Sequence, residues 1–403
     1  MFNSRQKILL GLLAFIQFSH IVDFMILMPL GQDLMNIFDI QPSQFGLLVS
    51  GYNFSAGLMG LVAALFLDRF DRKSSLLFFY CGFSFGTLAC AFASRYEFLL
   101  IARIVTGAFG GVLGAQVLSI VGDQIEPEKR GTATGVVMGA FSLASIFGVP
   151  FSLYLANTFD WHAPFMFLGI LSSSLIVVIL FGIPEMKNHV ALAKLKSPLT
   201  QLVSTLKNGT YQKALLFMLF IVLGQFTIIP FLSPSFVANA GLAQTKLPLI
   251  YLVGGLCSMI LSPLVGRLSD LYGSSKIFIS FGLFSIIPIL LVTNLGPTPI
   301  PMIVLISATF FIGVTGRMVP AMSEMNKVAN PESRGSFMSL ISATQQFGGA
   351  LGAYIAGTIV KRGNEGQLVH YDQVGYLAAA LSLVAFFLFM RIVKQNQMPE
   401  DNP

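Results

Sequence analysis

Two short segments decide the fold of this chain: EPEKRG at residues 126–131 and NPESRG at residues 330–335, which lie 204 positions apart. A second pair of segments repeats at nearly the same spacing. The segment LDRFDRK at residues 67–73 has its counterpart in GRLSDLYG at residues 266–273, and the shared aspartates are 202 positions apart. Nearly equal offsets between similar segments indicate that one unit of about 200 residues occurs twice.

The composition around these segments is that of a membrane protein. Of the 403 residues, 55% are hydrophobic and only 10% are charged, whereas a soluble chain carries about 25% charged residues. The 38 Phe and 38 Gly residues are typical of lipid-facing helices that pack through small side chains. This composition excludes an ordinary soluble enzyme. It also argues against nucleic acid as the partner of the net charge of +6, because basic residues of membrane proteins gather on one side of the bilayer.

Hydrophobic windows of about 20 residues predict an all-α membrane protein with twelve transmembrane helices in two six-helix bundles. The predicted domains are an N-terminal bundle at residues 1–183, a cytoplasmic linker at 184–213 and a C-terminal bundle at 214–403. The first six spans are Ile8–Pro29, Phe45–Leu67, Ser74–Phe92, Phe98–Gly122, Thr132–Ala156 and Pro164–Ile183. The second six are Ala214–Val237, Leu247–Leu268, Ile277–Val292, Ile300–Met322, Phe337–Val360 and Val374–Val393. Parallel repeats of this kind build carriers that work by alternating access.

The basic residues predict the orientation of the spans. Of the 24 Lys and Arg residues, 18 fall on the side of the two termini, four fall in the opposite loops, and Arg103 and Arg317 fall within spans. Because basic loops stay in the cytoplasm, both termini are predicted to be cytoplasmic. Arg317 is 17 residues into its span, about 26 Å along it at 1.5 Å per residue. We therefore expect Arg317 near the inner surface, where it reaches water or pairs with Glu324.

The linker carries five lysines and one acidic residue. Pro198 can begin a short helix that places Leu199, Leu202, Val203 and Leu206 on one face. A basic amphipathic helix is expected to lie on the inner membrane surface. A simple tether between the two halves is an equally good interpretation.

Charged residues within the spans are the first candidates for function, because each is costly to bury in a membrane. Asp23 lies about 22 Å above the inner end of its span, and Arg103 about 8 Å below the outer end of a descending span. In a core of about 30 Å, the two residues are at nearly the same height, where they either pair or compete across the cavity. A carboxyl group placed there is a candidate proton carrier, since burial favours its neutral form and Arg103 its charged form. A static ion pair that orients the two spans is the alternative.

Neutral polar side chains within the spans are candidates for a cargo site. Gln17, His20 and Asp23 follow one another at intervals of three residues, so they share one helix face. His20 is either a proton relay or a satisfied core histidine. The other candidates are Tyr52, Asn53, Gln116, Gln225, Gln345 and Gln346. Each of these side chains binds cargo or, alternatively, forms hydrogen bonds between helices.

Three motifs resemble those of the major facilitator superfamily. Its loop motif is a glycine, three residues, Asp-Arg, any residue, a glycine and basic residues. In the first half Ala64 and Asp71 replace the two glycines, whereas the second-half copy keeps both, as Gly266 and Gly273. The second motif is the fourth span, RIVTG from Arg103 onwards, continued by Gly110, Gly111 and Gly114. The third is a fifth-span antiporter motif, Gly139 followed by Gly148-Val149-Pro150.

Over essentially its whole length the chain resembles this superfamily, and within it the bacterial drug:proton antiporter branch, also described as drug or arabinose-type efflux permeases. The resemblance implies a bacterial inner-membrane location. It also implies that contacts of the loop motif lock the outward-facing state, with Asp68 at a helix N-terminus and Arg69 or Arg72 on Asp123. The expected gating residues are Asp68, Arg69, Arg72, Asp123, Arg130, Asp270 and Arg334. Alternatively, these residues are ordinary charged side chains of solvated loops and have no role in gating.

The most consistent function is proton-coupled efflux of a small hydrophobic or amphipathic compound. The alternative is a uniporter or proton symporter for a small neutral polar solute such as a sugar or nucleoside, and sodium coupling also stays open. The four histidines are scattered and no HExxH motif occurs, so the sequence predicts no enzyme, no metal site and no cofactor. The expected partners are the small-molecule substrate, protons and membrane lipids, with the chain acting as a monomer.

Overall fold

A computed structural model describes residues 2–183, 185–186, 198–329 and 334–397. Within these residues twelve long helices run back and forth through the molecule. In the first half they are α1 (Ser4–Ile26), α3 (Pro42–Phe66), α4 (Arg72–Ala91), α5 (Tyr96–Gln124), the pair α6 (Arg130–Leu143) and α7 (Val149–Thr158), and α8 (Ala163–Gly182). In the second half they are α10 (Gly209–Ala238), α11 (Leu247–Tyr272), α12 (Ser274–Thr293), α13 (Ile300–Val328), α14 (Arg334–Ile359) and α15 (Tyr371–Gln397). The predicted all-α fold of two six-helix bundles is confirmed.

Shorter elements connect these helices. Helix α2 (Gly31–Ile37) follows α1, and the linker contains α9 (Pro198–Lys207), which confirms the helix expected there. Strands β1 (Lys361–Arg362) and β2 (Leu368–Val369) form a hairpin between α14 and α15. Leu202 of α9 packs against the second bundle, whereas Leu199, Val203 and Leu206 are exposed.

A π turn, Ala144–Gly148, joins α6 to α7 within the fifth span, at the predicted antiporter motif. Pro150 lacks an N–H and cannot continue the regular α-helical hydrogen bonds, so the extra residue of a π turn fits here. A Cβ on Gly148 would lie 2.2 Å from Val22, so this glycine lets the fifth span pack tightly on α1. Gly139 has open space around it.

Most helices extend beyond their predicted ends. Hydropathy windows stop at the first polar residues, whereas helical hydrogen bonds continue out of the apolar layer: the predicted span Ile300–Met322 is observed as Ile300–Val328. Eleven of the twelve are long and apolar enough to cross a membrane. The exception is α14, whose Gln345-Gln346 pair and glycines lower its hydropathy. It packs between α3 and α10, so much of its surface meets protein.

The buried apolar side chains show which end of the molecule is closed. We call the end that carries the two chain termini the terminal side, and the other end the opposite side. On the opposite side one core joins both bundles, with Phe45 and Leu48 of the first half beside Phe231 and Phe236 of the second. On the terminal side each bundle has its own core, one around Leu113 and another around Phe217, to which α3 adds Leu61. The two halves are therefore sealed together on the opposite side.

Backbone contact between α3 and α14 completes this seal. A Cβ on Gly46 would lie 2.7 Å from the carbonyl oxygen of Ala353 and 3.0 Å from the Cα of Gly357. Two polar contacts cross the same seam: Gln244 donates to Asp33 at 2.7 Å, and Arg362 donates to Asn36 at 2.6 Å. Short helix α2 thus connects the first bundle to two loops of the second.

Replacing Gly46 by leucine is expected to hold the opposite side open, because backbone atoms of α14 cannot yield as a side chain would. The measurement is the distance between spin labels at the exposed positions Ile37 and Leu249 in a cysteine-free background. We expect the distance distribution to move outward by several ångströms, about the width of the added side chain. Gly60→Leu on the same helix, where nothing lies within 4 Å, is the matched control. An unchanged distribution in Gly46→Leu contradicts the proposed seal.

Candidate functional site

Asp23 and Arg103 form an ion pair inside the first bundle. The Nη1 of Arg103 lies 2.8 Å from the Oδ2 of Asp23, and both side chains are essentially inaccessible, at 1% and 0% exposure. The predicted equal height of the two residues is thus accompanied by direct contact. Thr87 of α4 donates to the other carboxylate oxygen at 3.0 Å. Three helices, α1, α4 and α5, therefore meet at one carboxylate.

Tyr52 of α3 covers the guanidinium. Its ring centre is 4.3 Å from the Cζ of Arg103, a distance typical of a cation–π contact. The glycines of α5 permit this approach, since a Cβ on Gly107 would lie 2.3 Å from the backbone oxygen of Tyr52. The glycines of the fourth-span motif are therefore sites of close helix packing.

Next to the ion pair lies a group of neutral polar side chains without hydrogen-bond partners. A Cβ on Gly110 would lie 3.0 Å from both the His20 ring and the Tyr52 hydroxyl, and a Cβ on Gly114 would lie 3.6 Å from Gln17. Unpartnered buried atoms belong to Gln17, His20, Tyr52 and Gln116. Buried polar atoms are normally satisfied, so this group has hydrogen-bonding capacity to offer a ligand. We call Gln17, His20 and Tyr52, which face the glycines of α5, the polar cluster.

The remaining cargo candidates lie partly at the seam between the halves and partly within the second bundle. Asn53 donates to the backbone of its own helix at 3.0 Å, while its unpartnered Oδ1 faces Gly349 of α14. Gln225 of α10 also has an unpartnered amide oxygen. Gln345 donates to the sulfur of Met322 at 3.6 Å, and Gln346 packs on Gly57. The structure thus brings Gln17, His20 and Tyr52 together at the glycines of α5 and places Asn53 and Gln346 at the seam, whereas Gln345 contacts Met322 within the second bundle.

An aromatic contact joins the two halves beside these amides. The ring of Phe24 in α1 lies 5.4 Å from Tyr52 and 6.1 Å from Phe226 of α10, measured between centroids. Both phenylalanines are partly exposed. A ligand between the halves would meet both aromatic surface and amides.

Part of the predicted gating network is present. Arg72 forms an ion pair with Asp123 at 2.9 Å, and about a third of the Asp123 side chain, 32%, is exposed. Arg130 donates to the backbone oxygen of Ile125 at 2.9 Å, and Arg69 is exposed. The Asp68 side chain lies outside the part of the chain that the structure describes.

In the second half, different residues occupy the positions that correspond to the Arg72–Asp123 ion pair. At the equivalent offsets, Ser274 replaces Arg72 and Lys327 replaces Asp123, and the lysine donates to the serine at 2.8 Å. Asp270 and Arg334 are both exposed. The repeat therefore preserves a contact between the two helices at this position but not its ion pair.

Arg317 corrects one prediction. Instead of reaching water or Glu324, it is 1% exposed and donates to Ser285 and Ser382 within the second bundle. Glu324 pairs with Lys327 at 3.4 Å. The distance along a helix gives the depth of a residue but not its direction around the axis, and Arg317 shares the buried face of α13 with Gly313 and Pro320.

Two functional candidates were missed from sequence. Thr87 holds the Asp23 carboxylate, but a lone threonine in an apolar span carries no distinguishing pattern. Asp71, at the position of a family glycine, caps α4 by accepting from the Ser74 amide at 2.9 Å and also accepts from the Met186 amide beyond α8. The only warning of this second role was the unusual replacement itself.

Asp33 is a further acidic residue at the seam, and burial raises its pKa above the ordinary value of 3.8, opposed by the hydrogen bond from Gln244. A raised pKa means that the closed seam binds a proton more tightly than the open one. Closure is therefore favoured at low pH and weakened as pH rises from 3.8 through the raised pKa. Lys246, exposed, and Arg362 are the nearest basic residues along these loops.

Labels at Ile37 and Leu249 should report this pH dependence as a larger open fraction at higher pH. The Asp33→Asn protein, which cannot ionise at this position, should give the same distribution at every pH. A pH response that survives this substitution would assign the titration to another group.

Two repeated bundles, sealed at one end and enclosing an ion pair beside a polar cluster, define a membrane carrier of the secondary transport class. The chain belongs to the Major Facilitator Superfamily, whose family model matches residues 13–353 and 214–403. It is a transporter and not an enzyme. Its long apolar helices indicate a multi-pass membrane protein, and its relatives are bacterial.

Two distant bacterial relatives match most of the chain. The "Uncharacterized MFS-type transporter YceJ" of Bacillus subtilis is 25% identical over 384 residues, 93% of this chain and 94% of that protein. A Helicobacter pylori protein named "Probable sugar efflux transporter" is 22% identical over 355 residues, 88% of this chain and 87% of its own.

Solved structures share the fold. A bacterial homologue of the human lysosomal transporter Spinster, in an inward-facing and occupied conformation, has a TM-score of 0.78 at 15% identity and covers 99% of this chain and 100% of its own. The nucleoside transporter NupG has a TM-score of 0.74 at 15% identity, covering 96% and 99%.

Proposed function

We propose that this chain exports a small amphipathic molecule in exchange for protons, with Asp23 as the proton carrier. The observation that supports this most is the Asp23 carboxylate itself, at 0% exposure and held by Arg103 and Thr87. Ionisable residues buried within transmembrane segments commonly mark ion and proton pathways. A buried charge in a span costs free energy, so such a residue is expected where its charge has a function.

Protonation of Asp23 would break the charge attraction that holds Arg103. Two contacts of the guanidinium survive this step: Nη1 also lies 3.4 Å from the backbone oxygen of Asp23, and Tyr52 still covers Cζ. The proton therefore changes the strength of the junction between α1 and α5 without freeing the arginine. Because the hydroxyl of Tyr52 belongs to the polar cluster, Tyr52 links the state of the ion pair to the cargo site.

The cargo site in this proposal lies between the polar cluster and the aromatic contact at the seam. Phe24 and Phe226 provide apolar surface, while Gln17, Asn53 and Gln225 provide amides with unpartnered oxygens. An amphipathic molecule uses both kinds of surface.

A neutral polar solute, such as a sugar or a nucleoside, is the second candidate. The unpartnered groups of the polar cluster are all uncharged donors or acceptors, which favours a neutral hydrogen-bonding ligand. The name of the Helicobacter pylori relative refers to a sugar, and that of NupG refers to a nucleoside.

The orientation in this proposal follows the basic residues, with both termini in the cytoplasm of a bacterial cell. The sealed opposite side then faces outward, and the terminal side, where each bundle has its own core, faces the cytoplasm. The Arg72–Asp123 pair is proposed to brace the loop between α3 and α4 during rocking of the halves, with Asp68, Arg69, Arg130, Asp270 and Arg334 acting at the same side.

The test uses the full chain reconstituted in liposomes that contain a pH-sensitive dye. Lipophilic cations, sugars, nucleosides and lysolipids are added in turn, with a proton gradient imposed. Proton release driven by an amphipathic compound supports the first candidate, and uptake of a sugar or nucleoside without proton movement supports the second. Dye-silent liposomes with no uptake of any compound contradict both.

A further inference from the structure

Arg317 is a second buried cation, far from Asp23 in the chain. It extends from α13 into the second bundle, and its Nη1 donates to Ser382 of α15 at 3.0 Å and to Ser285 of α12 at 3.4 Å. Three helices of this bundle therefore meet at the guanidinium. Nothing in the proposed proton or cargo path uses it.

The two serines hold Nη1 without balancing its charge. The hydroxyl of Ser285 donates to the backbone oxygen of Gly282 at 2.7 Å, and that of Ser382 donates to Ala378 at 2.8 Å. Because each hydroxyl proton is already used, the serine oxygens face Arg317 only as neutral acceptors.

The other edge of the guanidinium is unpartnered. Both Nε and Nη2 are buried and have no hydrogen-bond partner. These two nitrogens lie side by side and point their N–H groups in the same direction. That edge is the one that binds carboxylates and other anions through two parallel hydrogen bonds.

The charge of Arg317 has no counter-charge among the described side chains. A guanidinium does not lose its proton in proteins, and an uncompensated buried charge is strongly unfavourable. Arg103 in the first bundle is balanced by Asp23 at 2.8 Å. Within the part of the chain that the structure describes, no carboxylate oxygen lies within 4.0 Å of Arg317, and Glu324 is engaged with Lys327.

We propose that the Nε/Nη2 edge of Arg317 binds a small monovalent anion, chloride or a short carboxylate, as the counter-ion of the second bundle. A small anion is expected because α13 packs closely on α12: a Cβ on Gly316 would lie 2.1 Å from Phe281, and one on Gly313 would lie 3.1 Å from Ser285. The anion joins α12, α13 and α15 through the arginine that already contacts all three. This site is separate from the cargo site and stands whether or not the chain exports amphipathic molecules.

The test is thermal unfolding of the full-length protein in detergent at constant ionic strength. Gluconate, a much bulkier anion, is replaced stepwise by chloride in one series and by acetate in another. Because an anion that binds only the folded state stabilises it, Tm should rise by about 2 °C or more and then saturate. A rise in chloride alone assigns a halide site, and a rise in acetate alone assigns a carboxylate site.

Arg317→Met should remove the response and, in gluconate, unfold at a higher temperature than the unchanged protein, because no buried charge remains to be balanced. Arg391→Gln, a change of an exposed arginine on α15, should keep the response. Arg317→Lys retains the charge but loses the two-pronged edge, so its half-saturating anion concentration should increase at least about tenfold.

Two outcomes overturn the proposal. One is an anion response of the same size in the wild-type protein and in Arg317→Met. The other is an absent response in the wild-type protein. If Arg317→Met does not fold, Arg317→Lys decides, because an unchanged half-saturating concentration excludes the guanidinium edge as the binding site.

Discussion

Asp23→Asn abolishes substrate-driven proton movement in reconstituted liposomes, if Asp23 carries the proton. The amide keeps the shape of the side chain and can still accept from Thr87, but it cannot bind and release a proton. The expected change is from a clear dye signal to the level of empty liposomes, a loss of at least about 100-fold, typical when a required proton-transfer group is removed. Cargo movement down its own gradient should persist at a reduced rate.

This substitution also leaves Arg103 unbalanced, so a folding defect has to be separated from a coupling defect. The double variant Asp23→Asn, Arg103→Leu removes both charges and serves as the control. Cargo exchange without proton movement in the double variant supports the proposal. Proton-coupled transport by either the single or the double variant, in the presence of normal cargo exchange, contradicts it and leaves the ion pair a structural feature. The Arg317 test is independent of this result.

Much of the architecture was predictable from the repeat and from hydropathy. The equal offsets, the twelve apolar windows and the basic linker led to two bundles, a linker helix and the correct order of spans. Helix ends were not predictable, because hydrogen bonding continues through polar residues at the end of α13. Helix α2 and the hairpin β1–β2 were missed, since both are too short for a window of about 20 residues.

The sequence predicted how deep the site residues lie along their helices, but not the direction in which they point around the helix axis. Counting residues along the helices placed Asp23 and Arg103 at one height, and the structure brings them into contact. The same count failed for Arg317, because its direction around α13 points into the bundle. Thr87 was missed for a related reason: its role depends on α4 facing Asp23, and no pattern within α4 encodes that neighbour. The roles of these residues stay predictions until transport is measured.

The two single substitutions at the ion pair are expected to have unequal effects on stability. Arg103→Leu leaves a carboxyl group that can take up a proton, become neutral and keep its hydrogen bond with Thr87, so the expected cost is about 1–3 kcal/mol. Asp23→Asn leaves the Arg103 guanidinium buried without a counter-charge, and a guanidinium cannot become neutral. Removing one partner of a buried ion pair in this way costs about 3–5 kcal/mol. The double variant, which buries no charge at this site, should be more stable than Asp23→Asn although it carries one more substitution.

The midpoint of thermal unfolding in detergent measures this order directly, and a double-mutant cycle gives the coupling between the two side chains. The expected order of Tm is wild type, then Arg103→Leu, then Asp23→Asn, with the double variant above Asp23→Asn. Tyr52 provides a check on the cause, since its ring at 4.3 Å is the remaining neighbour that can stabilise a stranded cation. Adding Tyr52→Leu should therefore lower the Tm of Asp23→Asn more than that of Arg103→Leu. Equal Tm values for the two single variants would mean that water reaches the pair in the folded protein, and burial could then not be the source of its coupling to protons.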